Sequence, residues 1–241
     1  MHPETVQELV TTAFCLEVIA DKPGCTTRYV DLPDKPFHDF IIAAINSGKF
    51  FRKLAFDVFD NRNPSIFKYF VPALSEVNLH KSSKTINFGL LEVMFATVYA
   101  RLQCNDKQKI IDKIVDVMKK ESPEDVQNLL AARKIAWKSS TKSYKKDFSG
   151  EQFQESKSPY EFYMALMQKY DNDTGHHQWA NQFKQGLPIL KAFFDDFMHS
   201  KSLLDNIKFS YQNIREKYPN IKIGIVADMC AAALFLSLSF K

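Results

Sequence analysis

Glycine is scarce: 7 of 241 residues, about 3% against a usual ~7%. That excludes a collagen-like chain and disfavours β-sandwiches and barrels, which need many tight turns. No glycine-rich phosphate loop of the G-x-x-x-x-G-K-[S/T] or G-x-G-x-x-G type is present. The G-x-S-x-G elbow of serine hydrolases is missing as well. Cysteine is sparse, and Cys15, Cys25, Cys104 and Cys230 include no C-x-x-C pair. They are expected to be reduced thiols that behave as small hydrophobes. Neither sign of charge dominates: 32 Lys and Arg against 28 Asp and Glu give a net +4. Nucleic-acid binders usually carry a stronger, clustered excess, so nucleic acid is disfavoured as a partner. A mildly positive surface suits an anionic small molecule such as a nucleotide. A long charge-free apolar run is also lacking. Ile221 to Phe240 comes nearest, but it holds Lys222 and Asp228, and a central aspartate is costly in lipid. It is read as a buried C-terminal helix, and no membrane is expected. The start, Met1-His2-Pro3-Glu4, is neither basic nor apolar, so a cytoplasmic protein is expected.

What is present is apolar periodicity. Hydrophobic residues make up 45% of the chain, 21 of them Phe, enough for a large core. Thr5 to Ala20 places Val6, Leu9, Val10, Ala13 and Phe14 at helical spacing. Cys25 to Pro36 has two prolines and no helical period, and reads as an ordered loop. Phe37 to Asn46 reads as a short helix closed by Ser47-Gly48, with a second helix over Phe50 to Phe59. Ser65 to Glu76 is a weaker helix with a kink expected at Pro72. Ile86 to Leu102 is apolar all round, the mark of a buried helix. Asp106 to Lys120 is amphipathic. Ser122-Pro123-Glu124-Asp125 and Ser158-Pro159-Tyr160-Glu161 carry helix-start chemistry, and Ser202 to Asp205 carries part of it. Pro188 is expected to open a helix ending near His199, and Pro219-Asn220 precedes the last one. The fold expected is all-α: a single domain over residues 1–241, with about ten to twelve helices around a buried central one.

Four places could carry chemistry. His176-His177 are adjacent and would point about 100° apart on a helix, which is poor metal geometry. The run from Arg133 to Lys146 contains six cations and no acid, with Trp137 and Tyr144 inside it. It reads either as a solvated basic loop or as a nucleic-acid contact with stacking aromatics. The stretch Asp21 to Tyr29 follows a buried helix and sets Lys22 and Arg28 around Pro23-Gly24. Glycine there lets backbone approach a ligand, and Glu17 lies on the same helical face as Asp21. A carboxylate beside two cations fits a general base or a metal–phosphate site. Lys84 to Gly89 places Asn87 and Gly89 in the first turn of the most apolar helix.

Taken in order, these segments resemble the triphosphoribosyl-dephospho-CoA synthase family, and its archaeal branch most. Glu17-Val18, Lys22-Pro23-Gly24, Arg28-Tyr29 and Asp31 follow that family's E-V-x-x-x-P-K-P-G opening and its R-Y-x-D-F continuation. Thr85 to Gly89 resembles the family's N-T-[H/N]-x-G entry to a buried helix. Tyr218-Pro219 resembles a later Y-P-D turn. The resemblance implies an all-helical fold and a transferase that takes ATP and a dephospho-CoA-like acceptor and releases adenine. By carry-over Glu17 is the catalytic base or a Mg2+ ligand, and Asp171 a second carboxylate. Lys22 and Arg28 hold phosphate, Gly24 and Gly89 permit close approach, and Asn87 bonds the ligand. Mg2+ is the cofactor implied.

Two family elements are replaced. A glycine-rich turn would fall at Lys138 to Lys142, where no glycine remains, and an Arg-Lys pair would fall at Ile225-Val226. These losses motivate the alternative of a non-catalytic helical protein that binds a nucleotide or other ligand. On the enzyme reading, Glu17→Gln should abolish turnover and leave the melting temperature little changed.

Overall fold

The computed structural model describes residues 1–33, 35–60, 62–79, 86–119, 122–138, 182–200 and 202–241. Among them the chain is all-α, with nine helices and no strand. The helices are α1 (Pro3–Ile19), α2 (Phe37–Phe59), α3 (Phe70–Leu79), α4 (Phe88–Gln103) and α5 (Ile110–Lys119), then α6 (Pro123–Lys138), α7 (Gln182–His199), α8 (Leu203–Lys217) and α9 (Ile223–Ser239). Asp171, His176-His177, the Ser158 cap and the basic run beyond Lys138 lie outside the described residues, as does Thr85.

The two all-round apolar segments organise the rest. In α4 every residue from Leu90 to Arg101 is buried, and in α9 every residue from Met229 to Ser237. They pack against each other, with α1, α7 and α8 also against α9, and α2, α3 and α5 also against α4. An aromatic series runs through the core. Phe14 meets Phe51 at 6.1 Å between ring centroids, Phe51 stacks on Phe95 at 4.4 Å, and Phe70 lies 5.2 Å from Phe88. At the far end Arg101 ties α4 to α9. Its guanidinium donates to Ser239 Oγ at 2.9 Å, to the Ser239 carbonyl at 2.7 Å and to Asn105 Oδ1 at 2.8 Å. It also lies 4.0 Å from the Phe240 ring centroid. The helix is buried as the sequence indicates, and no helix among the described residues is long and apolar enough to cross a membrane.

Several local expectations change. Phe37 to Phe59 is one continuous helix. Ser47 turns its hydroxyl to the Ala44 carbonyl at 3.3 Å, within the helix. Gly48 sits at the α1–α2 crossing, where a Cβ would collide with Thr11 Oγ1. It is therefore a packing residue in mid-helix, where sequence alone suggests a stop. Pro72 produces no interior kink, because α3 starts at Phe70 and puts the proline in the first turn, where no N–H is required. Conversely Pro188 lies inside α7, which begins earlier at Gln182. The Ser122 cap forms as expected: its Oγ accepts from the Asp125 N–H at 3.1 Å, and Asp125 Oδ2 accepts from the Ser122 N–H at 2.9 Å. Asp125 Oδ1 also accepts from the Phe67 N–H at 2.8 Å, which fastens the turn before α3 to α6.

Phe95 has no exposed surface and touches two rings of the aromatic series. Phe95→Ala is expected to cost about 3–5 kcal/mol in urea unfolding. Ile45→Ser, at a residue 59% exposed, should stay within about 0.5 kcal/mol.

Candidate functional site

A cavity of about 280 Å³ opens where the C-terminal turn of α1, the loop 20–36 and the N-termini of α4 and α9 meet. Four of the residues singled out in the sequence line it: Glu17, Gly24, Asn87 and Gly89. The loop is held by short-range chemistry. Lys22 to Cys25 form a turn closed by the Cys25 N–H to the Lys22 carbonyl at 3.3 Å, with Pro23 second and Gly24 third. Gly24 has φ +82, which glycine adopts freely, and a Cβ there would collide with the Ile223 side chain of α9. The positive φ is what calls for glycine here, while the Ile223 contact is with the end of a side chain that can move. Further along, Thr26 Oγ1 donates to the Lys35 carbonyl at 2.6 Å. Asp31 Oδ1 accepts from the Phe37 N–H at 2.6 Å, capping the orphan first turn of α2. The aspartate of the R-Y-x-D motif therefore fixes the loop's exit.

Glu17 is buried, and its Oε1 lies 3.1 Å from Lys22 Nζ, whose side chain is fully buried. Lys22 Nζ also donates to the Glu17 carbonyl and, at 3.4 Å, to that of Ala20, the last acceptors of α1. Burial pushes the Glu17 carboxyl up from its ordinary value, while the Lys22 charge and hydrogen bond oppose the rise. Cys25 also faces the cavity. Burial raises its thiol, the hydrogen-bond contact with Tyr211 opposes this, and the carboxylates of Glu17 and Asp228 add to it. Its Sγ lies 3.2 Å from the Tyr211 hydroxyl, itself raised chiefly by burial.

Not every expected residue arrives. Lys22 lies beneath the cavity, paired with Glu17, and does not line it. Arg28 is exposed, its guanidinium 4.5 Å from the Tyr29 ring centroid, and it too is absent from the lining. Asp171 lies outside the described residues. Arg133, the first cation of the basic run, is buried against Glu92 with Nη2 3.1 Å from Oε2, and its guanidinium is 4.7 Å from the Phe88 ring centroid. It backs the cavity wall from the core side, so it cannot serve a nucleic-acid surface. Ile225 and Val226, which stand in place of an Arg-Lys pair, are core residues.

The structure adds residues that sequence reasoning passed over: Lys35, Gly224 and Asp228 all line the cavity. Asp228 did leave a signal, since an acid inside an apolar helix needs a reason. Lys35 left none.

The two helices that enter the cavity share one design. α4 begins at Phe88 and α9 at Ile223, so Gly89 and Gly224 are each the second helical residue. Neither helix has a side-chain cap, and Asn87, the residue before α4, sits at φ 57 in the left-handed region. A Cβ on Gly224 would meet nothing within 4 Å, so the helix start faces open space. The N–H groups of a first turn have no acceptor within their helix and carry the positive end of its dipole.

The buried pair alters the expectation for Glu17→Gln. Removing one charge leaves Lys22 buried without its anion, which typically costs about 3–5 kcal/mol. The Tm should fall by roughly 6 °C or more at this chain length. Glu17→Gln combined with Lys22→Met should recover much of that loss in a circular-dichroism melt.

A search of curated proteins and a search of solved structures each returned no match. A family model described as CitG, ATP:dephospho-CoA triphosphoribosyl transferase, matches residues 3–208. That span contains Glu17, Lys22, the glycine turn and Asn87-x-Gly89, and it ends before α9. With most of the chain matched, the protein belongs to the ATP:dephospho-CoA triphosphoribosyl transferase family.

Proposed function

We propose that the protein is a transferase that moves a triphosphoribosyl group from ATP to dephospho-CoA or a close analogue, with release of adenine. The observation that carries this reading is the meeting of two uncapped helix N-termini with the Glu17 carboxylate at one cavity. Helix N-termini with glycine at the second position let backbone N–H groups approach phosphate oxygens closely. Their dipoles favour an anion at that end. The family supplies the substrate class: ATP and dephospho-CoA.

The chemistry asked of the site is substitution at the anomeric carbon. A ribose hydroxyl of the acceptor forms a bond to C1′ of the ATP ribose as the bond from C1′ to the base nitrogen breaks. The base leaves with that electron pair. Glu17 accepts the hydroxyl proton and afterwards releases it to solvent, and the departing adenine takes up a proton from solvent. A positioned base of this kind contributes roughly 10²–10⁴-fold. Burial raises the Glu17 carboxyl above its ordinary value, and the Lys22 charge and hydrogen bond oppose that rise. Asn87 provides a side-chain amide beside the ligand, and Gly24 brings backbone close to it.

Among the described residues no group of three or more His, Cys, Asp or Glu side chains could hold a metal ion. Mg2+ does not require one, since it commonly takes one or two carboxylates together with substrate phosphates. Asp228 lines the cavity and fits that role, which leaves Glu17, already paired with Lys22, to act as the base. A Mg2+ bound there would neutralise phosphate charge. A second reading, a protein that binds nucleotide without turnover, is favoured by one fact: Lys22 already occupies one oxygen of Glu17.

Incubation with ATP, dephospho-CoA and Mg2+, followed by chromatography, should yield free adenine and an acceptor enlarged by one triphosphoribosyl group. Asp228→Asn should lower the rate at least tenfold while the protein stays folded. ATP binding in a thermal-shift assay without any adenine release would establish the binding-only reading instead.

A further inference from the structure

Lys35 stands apart from the other cations of the loop. Lys22 is committed to Glu17, and the Arg28 guanidinium lies over the Tyr29 ring. Lys35 lines the cavity and forms no ion pair among the described residues. Its backbone is fixed on both sides. The Lys35 N–H donates to the Leu32 carbonyl at 3.0 Å, and its carbonyl accepts from Thr26 Oγ1 at 2.6 Å. Thr26 Oγ1 also accepts from the Leu32 N–H at 3.4 Å, so one buried threonine pins both ends of this small turn. The root of the lysine side chain is therefore held at the cavity wall by bonds that do not involve its ammonium. Glu17 and Asp228 line the same cavity, yet neither pairs with Lys35 among the described residues, so the lysine is available to an anion from outside.

We propose that Lys35 is the phosphate-recognising cation of the cavity and contacts the polyphosphate of the triphosphate donor. This rests on the reading of the cavity as the donor site. The remaining walls agree with it. Gly89 and Gly224 present first-turn backbone to the same space, while Phe40 and Phe88 give it apolar surface for the uncharged part of a nucleotide. Phosphate could also come from the acceptor, whose diphosphate has the same chemistry, and the test separates the two.

The experiment is calorimetric titration of the full chain with inorganic tripolyphosphate, ATP, dephospho-CoA and adenosine. It compares the wild type with Lys35→Met and Lys35→Arg, after melts show all three folded alike. The wild type should bind tripolyphosphate and ATP. Lys35→Met should weaken both by about 10- to 100-fold, as loss of a charged hydrogen bond does, and leave adenosine and dephospho-CoA unchanged. Lys35→Arg should retain most of the affinity. Tripolyphosphate binding that is unchanged in Lys35→Met, or absent from the wild type, overturns the proposal. So does a loss confined to dephospho-CoA, which would put the acceptor's diphosphate there. Absence of adenine release beside intact, Lys35-dependent tripolyphosphate binding sinks the transfer reaction alone and supports the role of Lys35.

Discussion

A helix that is apolar on every side must be enclosed, and this protein has two. Once α4 and α9 are enclosed by their neighbours, little freedom remains in the arrangement of the others. The two run parallel. Their C-terminal ends are joined by Arg101, and their N-terminal ends share one cavity. Parallel neighbours align their dipoles, which is unfavourable unless charge is placed at the ends. At the C-terminal end Arg101 supplies the cation and satisfies the carbonyl of Ser239. At the other end neither Asn87 nor Lys222 makes a side-chain cap bond, and each helix has glycine at its second position. The same packing that buries the apolar surface thus brings two helix N-termini to one opening, which Glu17, Asp228 and Lys35 also line. The cavity follows from the enclosure of the core.

The Glu17–Lys22 pair belongs to that opening in a different way. Lys22 reaches carbonyls at the end of α1 and the Glu17 side chain together, so it caps a helix C-terminus while its charge favours the ionised acid against the effect of burial. A buried ion pair contributes little net stability, because desolvation offsets most of its attraction. What it does provide is a carboxylate fixed in place at the cavity with a basicity set by its surroundings. Placing Lys22 beneath the site also frees the cavity's cationic position for another residue, and the loop's geometry assigns that position to Lys35.

Much of the fold was legible in the sequence. The all-round apolarity of Ile86 to Leu102 and of the C-terminal segment marked both central helices, and the Ser122 to Asp125 cap formed as its chemistry requires. Errors came where a local signal competed with a distant neighbour. Ser47-Gly48 carries the composition of a helix stop, yet the helix continues because α1 crosses at Gly48. Lys22 looked like a phosphate ligand because nothing in a linear chain shows that its side chain folds back on Glu17. Arg133 looked like part of a surface run, although its partner, Glu92, is 41 residues away.

The sequence by itself determined the helical class, the two buried helices and the motif residues Glu17, Gly24, Asn87 and Gly89. Periodicity, turn chemistry and motif order are all local properties of the chain. Only the tertiary structure decided which charges face the cavity. Lys35 and Asp228 are separated by nearly the whole chain, and they meet because α9 packs against α1 and brings its first turns to the loop that follows α1. Whether a charged side chain is spent on a buried partner or remains available to a ligand depends on that packing, which no local pattern encodes.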